Sequence, residues 1–115
     1  IHKRLEDGLV DARIEQYRVE IKKQLKVASP ERVNLEEIFD HSLKSWLIVK
    51  TILESDRAAR KGIIGFFSID WLYYDRLERE LRPIIISQLV TACQLLGNSW
   101  QAAWIQAGKP NPIIK

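Results

Sequence analysis

His2 and Glu6 are the residues of this 115-residue chain whose types and spacing point most directly to chemistry. They are four positions apart, a spacing that places an imidazole and a carboxylate on the same face of an α-helix. Both groups are suitable zinc ligands, and one rigid helix can supply two of them to a metal site. The same spacing is also that of an ordinary solvated side-chain pair. The pair alone therefore leaves two interpretations open, a surface contact or half of a metal site.

The rest of the sequence adds no second chemical motif. It contains no glycine-rich phosphate loop, no Cys-x-x-Cys pair and no His-Glu-x-x-His helix. Cys93, the single cysteine, lies in the apolar stretch LVTACQLL and is predicted to be a buried core residue. The net charge of +3 is spread along the chain, unlike the basic stripe of a nucleic-acid-binding surface. No stretch is as long and apolar as a transmembrane segment.

Apolar residues recur at intervals of three and four along most of the chain, which is the pattern of amphipathic helices. The first helix is predicted from His2 to about Val27, with Gly8 marking a kink or a close approach to a neighbour. The second is predicted to begin after an Asn34 N-cap and to run to about Lys61. We expect its inward face to carry Leu35, Ile38, Ser42, Trp46, Val49 and Leu53.

The second half of the chain predicts one shorter and one longer helix. The shorter helix begins at an Asp70 cap, after the segment IIGFFSID, which is predicted to be a buried loop or turn. Pro83 either opens the next helix or kinks a continuous one, and Gly108 ends it. Trp100 and Trp104 lie on its apolar stripe and are predicted to be core anchors. The predicted fold is all-α, an antiparallel bundle of three long helices and one shorter helix in a single domain, residues 1–115.

The end of the last helix, LLGNSWQAAWIQAGKP, resembles the closing helix of bacterial proteins in the zinc-dependent phospholipase C and single-strand nuclease superfamily. The segment DHSLKSWLIVKTILESDRAARKG is similar to the penultimate long helix of that superfamily, and IHKRLEDGLVD to its last metal-ligand helix. The resemblance covers nearly the whole chain, but only as the C-terminal part of a longer protein. The absence of methionine agrees with that expectation. The closing pattern is carried by Gly97, Trp100, Ala103, Trp104, Ala107, Gly108 and Pro110.

The resemblance implies that His2 and Glu6 are ligands of one zinc in a three-zinc cluster. No other residue of the chain matches a ligand of the family, and no catalytic residue is identified. The remaining ligands would come from an upstream part of the same protein, so the 115-residue chain alone is expected to be inactive. We expect the His2 and Glu6 side chains to face a cleft lined by the segment IIGFFSIDWLYY or by the upstream part of the protein, and not open solvent.

The function implied by the resemblance is zinc-dependent phosphoester hydrolysis, with a phospholipid head group or a nucleic acid as substrate. Glu at the second ligand position favours the phospholipase-like branch, and the family suggests a periplasmic or secreted location. The alternative is a non-catalytic helical bundle that acts as a protein–protein interaction module, with His2 and Glu6 as a surface pair.

Overall fold

The computed structural model of the chain describes residues 3–30, 33–63 and 70–111, and all regular structure in those ranges is helical. A π-helical segment, Arg4–Val10, and a 3₁₀ turn, Asp11–Arg13, precede helix α1, Ile14–Gln24. The predicted all-α class is therefore confirmed. The predicted continuous first helix is wrong, because the chain changes from π-helical to 3₁₀ winding at Asp11 and to α-helical winding only at Ile14. His2, residues 64–69 and the side chain of Asp70 lie outside the described residues. The predictions made for them, a zinc ligand, a buried loop and a helix cap, therefore also lie outside the described part.

Helix α1 also ends earlier than the predicted Val27, and its last residues show why. Leu25 adopts an extended conformation, and the chain beyond it turns toward the C-terminal half. The backbone N–H of Lys26 donates to Oε1 of Gln94 at 2.9 Å, and that of Ser29 donates to Oδ1 of Asn98 at 2.8 Å. These long-range bonds satisfy backbone N–H groups just beyond the end of the helix, where no helical carbonyl is available to accept from them.

The predicted second helix is divided into α2, Leu35–Leu47, and α3, Val49–Arg60, by a turn at Ile48. The Asn34 cap is confirmed, since its side-chain oxygen accepts a 2.7 Å bond from the N–H of Glu37. Gly62 is confirmed as the stop, because it has a φ of 77°, a left-handed conformation that favours glycine.

Helix α4, Asp70–Gln106, is 37 residues long and passes through Pro83 without ending. The predicted short helix and last helix are therefore one element, and the predicted count of three long helices plus a shorter one is wrong. At its C-terminus the N–H of Lys109 donates to the carbonyl of Trp104, and that of Gly108 donates to Ile105, both at 3.0 Å. This pair of bonds is the Schellman motif, so the predicted stop at Gly108 is confirmed.

Helix α4 forms the centre of the molecule, because α1, α2, α3 and the π-helical segment all contact it. The molecule is elongated, with extents of 60 × 35 × 22 Å. The antiparallel order of the helices stays a prediction. The core lies along the first half of α4 and consists of nine buried side chains, Leu9, Tyr17, Ile21, Ala59, Tyr73, Leu77, Leu81, Ile85 and Ile86.

The predicted core at the other end of α4 is wrong. Trp100 is 69% exposed and Trp104 is 42% exposed, and Cys93 is also exposed. Hydrogen bonds reach the second half of α4 from the backbone of Lys26 and Ser29, and Trp104 Nε1 donates to the carbonyl of Pro110 at 3.0 Å. An apolar stripe on a helix shows which side avoids water but does not supply the element that buries it.

Candidate functional site

The π-helical segment Arg4–Val10 carries Glu6, the predicted metal ligand that the structure describes. The Glu6 side chain is exposed, whereas Leu9 on the same segment is fully buried in the core. The other predicted ligand, His2, lies outside the described residues. The Glu6 carboxylate is therefore exposed among the described residues, while Leu9 holds its segment against the core, and the cleft predicted around Glu6 stays a prediction. π-Helical windings occur frequently at functional sites.

Gly8 is the point at which this segment comes closest to α4. A Cβ atom at this position would overlap the ring and hydroxyl of Tyr74, so the predicted close approach is confirmed. The carbonyl of Gly8 also accepts a 3.4 Å bond from Nη1 of Arg13. The absence of a side chain at Gly8 thus lets the segment pack directly on an aromatic ring.

Replacing Gly8 by alanine is expected to lower the free energy of unfolding by ~1–3 kcal/mol, because the added methyl must displace Tyr74. Gly97 provides a matched control, since a Cβ there meets no atom within 4 Å. Gly97→Ala should instead stabilise the protein by ~0.5–1 kcal/mol. Urea unfolding of both variants measures the difference, and a stabilised Gly8→Ala variant would contradict the packing described here.

The buried carboxylate of Asp56 contacts the π-helical segment at its first residue, Arg4. Asp56 on α3 is 2% exposed, and its carboxylate accepts hydrogen bonds from the hydroxyl of Tyr73 and from Arg60. The guanidinium of Arg4 lies 3.6 Å from the same carboxylate and 5.7 Å from the centre of the Tyr73 ring. We call these four residues, Arg4, Asp56, Arg60 and Tyr73, the Asp56 cluster. It joins the N-terminal segment, α3 and α4.

Ionisation within the Asp56 cluster follows from these contacts. Burial alone would raise the pKa of the Asp56 carboxyl, but the hydrogen bonds from Tyr73 and Arg60 and the charge of Arg4 outweigh it, so its pKa lies below the ordinary value. Burial and the hydrogen bond to Asp56 raise the pKa of Tyr73 to about 12. At neutral pH the cluster therefore holds an ionised carboxylate and a neutral phenol.

Sequence reasoning did not find the Asp56 cluster. The only local signal was the spacing of Asp56 and Arg60, which matches an i,i+4 ion pair on a helix. Tyr73 and Arg4 reach the carboxylate from distant parts of the chain, so no local pattern reveals them. The ring of Tyr73 also packs edge-on against Tyr74, with centroids 5.0 Å apart.

The second candidate site is the outward side of α2 and α3, where the predicted inward face is wrong. We call it the open face and define it by the exposed residues Leu35, Phe39, Leu43, Trp46, Leu47 and Leu53. The inward side carries Ile52, which packs against the core, together with small and polar residues. Ser55, Asp56 and Ala59 are buried, and the hydroxyl of Ser45 donates to Oε1 of Gln88 at 2.6 Å. Polar contacts and the packing of Ile52 and Ala59 hold this side of the two helices inward and leave the apolar stripe exposed.

Two grooves lie along the open face. One, of about 560 Å³, is lined by Trp46, Leu47, Val49, Lys50, Leu53, Glu54 and Arg57. The other, of about 700 Å³, lies near the start of α2 and is lined by Asn34, Glu36, Glu37, Phe39, Asp40 and Leu43. The groove beside Trp46 is mainly apolar, and the groove near the start of α2 has acidic residues at its edge. Neither groove includes the Asp56 cluster or Glu6.

Two further properties of the described ranges bear on the sequence predictions. Within residues 3–30, 33–63 and 70–111, no three His, Cys, Asp or Glu side chains lie close enough together to hold a metal ion. Among the helices of that part of the chain, none combines the length and apolar character needed to cross a membrane.

Comparison with known proteins yields no relative. No protein-family model, no curated protein and no solved structure matches this chain.

Proposed function

We propose that this chain is the C-terminal helical part of a zinc-dependent phosphoesterase and supplies His2 and Glu6 to its metal site. The observation that carries the proposal is the position of Glu6. Its carboxylate is exposed on a segment that Leu9, Gly8 and Arg4 hold against α3 and α4. A ligand on a supported segment keeps its orientation better than one on a loop.

His2 and Glu6 are suitable donors for zinc, but two donors are too few to form a zinc site. An imidazole and a carboxylate are ordinary zinc donors, but a catalytic site takes at least three protein groups and an open position. An upstream part of the same protein would supply the others and cover the segment that carries Glu6. A zinc cluster there would supply a bound water of lowered pKa and charge stabilisation for a phosphoester. The role of this chain is to hold and orient two ligands.

Zinc binding tests this proposal. The 115-residue chain alone should bind zinc weakly and hydrolyse nothing, whereas the same chain joined to its upstream part should bind zinc and cleave a phosphodiester. In that longer protein, His2→Ala and Glu6→Ala should each lower zinc affinity by at least ~10–100-fold, the loss typical of an outer partner of a ligand. Asp7→Ala, which removes the neighbouring exposed carboxylate, is the matched control and should change neither zinc affinity nor rate.

Calorimetry with zinc and a phosphodiester turnover assay measure both quantities. Submicromolar zinc binding by the 115-residue chain alone would contradict the need for upstream ligands. A longer protein whose His2→Ala and Glu6→Ala variants keep their zinc and their rate would show that the two residues are a surface pair.

The second candidate function is a helical protein–protein interaction module, and the open face is the observation that favours it. Large contiguous apolar patches are rare on the surface of monomeric soluble proteins and often mark interaction sites. The face is formed by α2 and α3, apart from the segment that carries Glu6. An interaction through it is therefore compatible with either function.

A further inference from the structure

The open face has the composition of a protein interface. Phe39 and Trp46 are both 69% exposed, and leucines flank them on the same side of α2 and α3. Aromatic side chains surrounded by aliphatic ones are typical of the central part of interfaces. Because Ser45, Asp56 and Ala59 already face α4, the two helices cannot bury this stripe by rotating without breaking the Asp56 cluster.

The charges at the two ends of the open face have opposite signs. Glu36, Glu37 and Asp40 lie near the start of α2 and line the groove there. Arg57, Arg60 and Lys61 lie at the end of α3 and line another groove at that end. Some of these charges already have partners, since Asp40 pairs with Lys44 at 2.8 Å and Arg60 pairs with Asp56. The face therefore has a negatively charged end, with Glu36 and Glu37, and a positively charged end, with Arg57 and Lys61.

The centre of the face is apolar and nearly neutral. Trp46 and Leu47 lie near the middle of the sequence from Leu35 to Arg60 and line the mainly apolar groove. The charges next to them, Lys50 and Glu54, are 3.7 Å apart and form an ion pair on the same helix. The surface is thus acidic at one end, apolar in the middle and basic at the other end.

We infer that the open face binds the open face of a second copy of this chain, with the two α2–α3 pairs antiparallel about a two-fold axis near Trp46 and Leu47. In that arrangement the acidic end of each copy faces the basic end of the other, and every contact occurs twice. A parallel arrangement would place acidic groups against acidic groups and basic against basic. This inference is independent of the zinc proposal and specifies the partner for the second candidate function.

Sedimentation equilibrium of the 115-residue chain tests the inference. The chain has a mass of 13.4 kDa and should sediment as a dimer. Trp46→Ala should weaken the dimer by at least ~30-fold, as expected for a residue at the centre of an interface. Trp100→Ala is the matched control, because Trp100 is equally exposed but belongs to α4 and not to the α2–α3 pair that forms the face. It should leave the association unchanged, and circular dichroism should show both variants folded.

Charge reversal tests the antiparallel arrangement. The double variant Glu36→Lys, Glu37→Lys should dissociate, and so should Arg57→Glu, Lys61→Glu, because each places like charges opposite one another. Mixed in equal amounts, the two variants should form a heterodimer, and all four substitutions in one chain should restore the homodimer. Raising the salt concentration should reduce these differences.

Three results would overturn the inference. One is a wild-type chain that stays monomeric at all accessible concentrations, which would leave the face to an upstream segment or to an unrelated protein. Another is a dimer that Trp46→Ala and Trp100→Ala affect equally. The third is a failure of the two charge-reversed variants to associate when mixed. None of these measurements involves zinc, so they are independent of the test of the hydrolase proposal.

Discussion

Replacing Leu77 by alanine is expected to lower the free energy of unfolding by ~2–5 kcal/mol, the usual cost of truncating a buried leucine. Leu77 is 0% exposed and lies in the middle of the core formed on the first half of α4. The loss would be a large share of the total stability of a domain of this size, which is ~5–15 kcal/mol. Urea unfolding followed by circular dichroism measures the change.

The same truncation at the other end of α4 should have a small effect. Trp100→Ala is expected to change the free energy of unfolding by no more than ~0.5 kcal/mol, because the side chain is exposed and its neighbours in the described part of the chain do not cover it. If this variant lost as much stability as Leu77→Ala, the core would extend to the last turns of α4 and the exposure described here would be wrong.

Replacing Pro83 by alanine is expected to raise the free energy of unfolding by up to ~3 kcal/mol, the difference between proline and alanine inside a helix. Pro83 lies within α4, where its missing N–H leaves the carbonyl of Arg79 without its helical partner. The side chain is exposed, so alanine removes no core packing.

Pro110→Ala is the control for this prediction. Pro110 lies beyond the end of α4, and its carbonyl, which accepts from Trp104 Nε1, is retained in alanine. Removing a proline from an irregular segment should lower the free energy of unfolding by ~0.4–1 kcal/mol, because the unfolded chain gains freedom. Thermal unfolding of both variants should therefore show shifts of opposite sign, and a destabilised Pro83→Ala variant would show that the proline fits its helix without cost.

The features that could be predicted from the sequence are those fixed by local chemistry. Asn34 caps α2 and Gly62 and Gly108 end helices because the side-chain amide and the left-handed backbone act within a few residues. Gly8 signalled a close approach because only glycine leaves room for a ring on the backbone. The cap and the two stops depend on neighbours in the sequence, whereas the Gly8 contact joins it to Tyr74, a partner that the sequence did not identify.

The features that could not be predicted depend on residues far apart in the chain. The apolar stripe of α2 and α3 was assigned to the core, but Asp56 meets Arg4 and Tyr73 from distant segments and orients the helices the other way. A hydrophobic pattern cannot indicate that a buried ion pair will decide which side faces inward. For the candidate metal site, the sequence supplied the residue types, and the structure adds the exposed position of Glu6. The zinc function stays a prediction.

The central position of α4 also has a consequence for how the protein is made on the ribosome. Helix α4 follows α1, α2 and α3 in the chain, yet all three pack on it. Leu9, Tyr17 and Ile21 cannot reach their buried environment until α4 has emerged from the ribosome. Chains grow at ~5–20 residues per second, so these apolar side chains stay uncovered for seconds during synthesis and are available to chaperones in that interval.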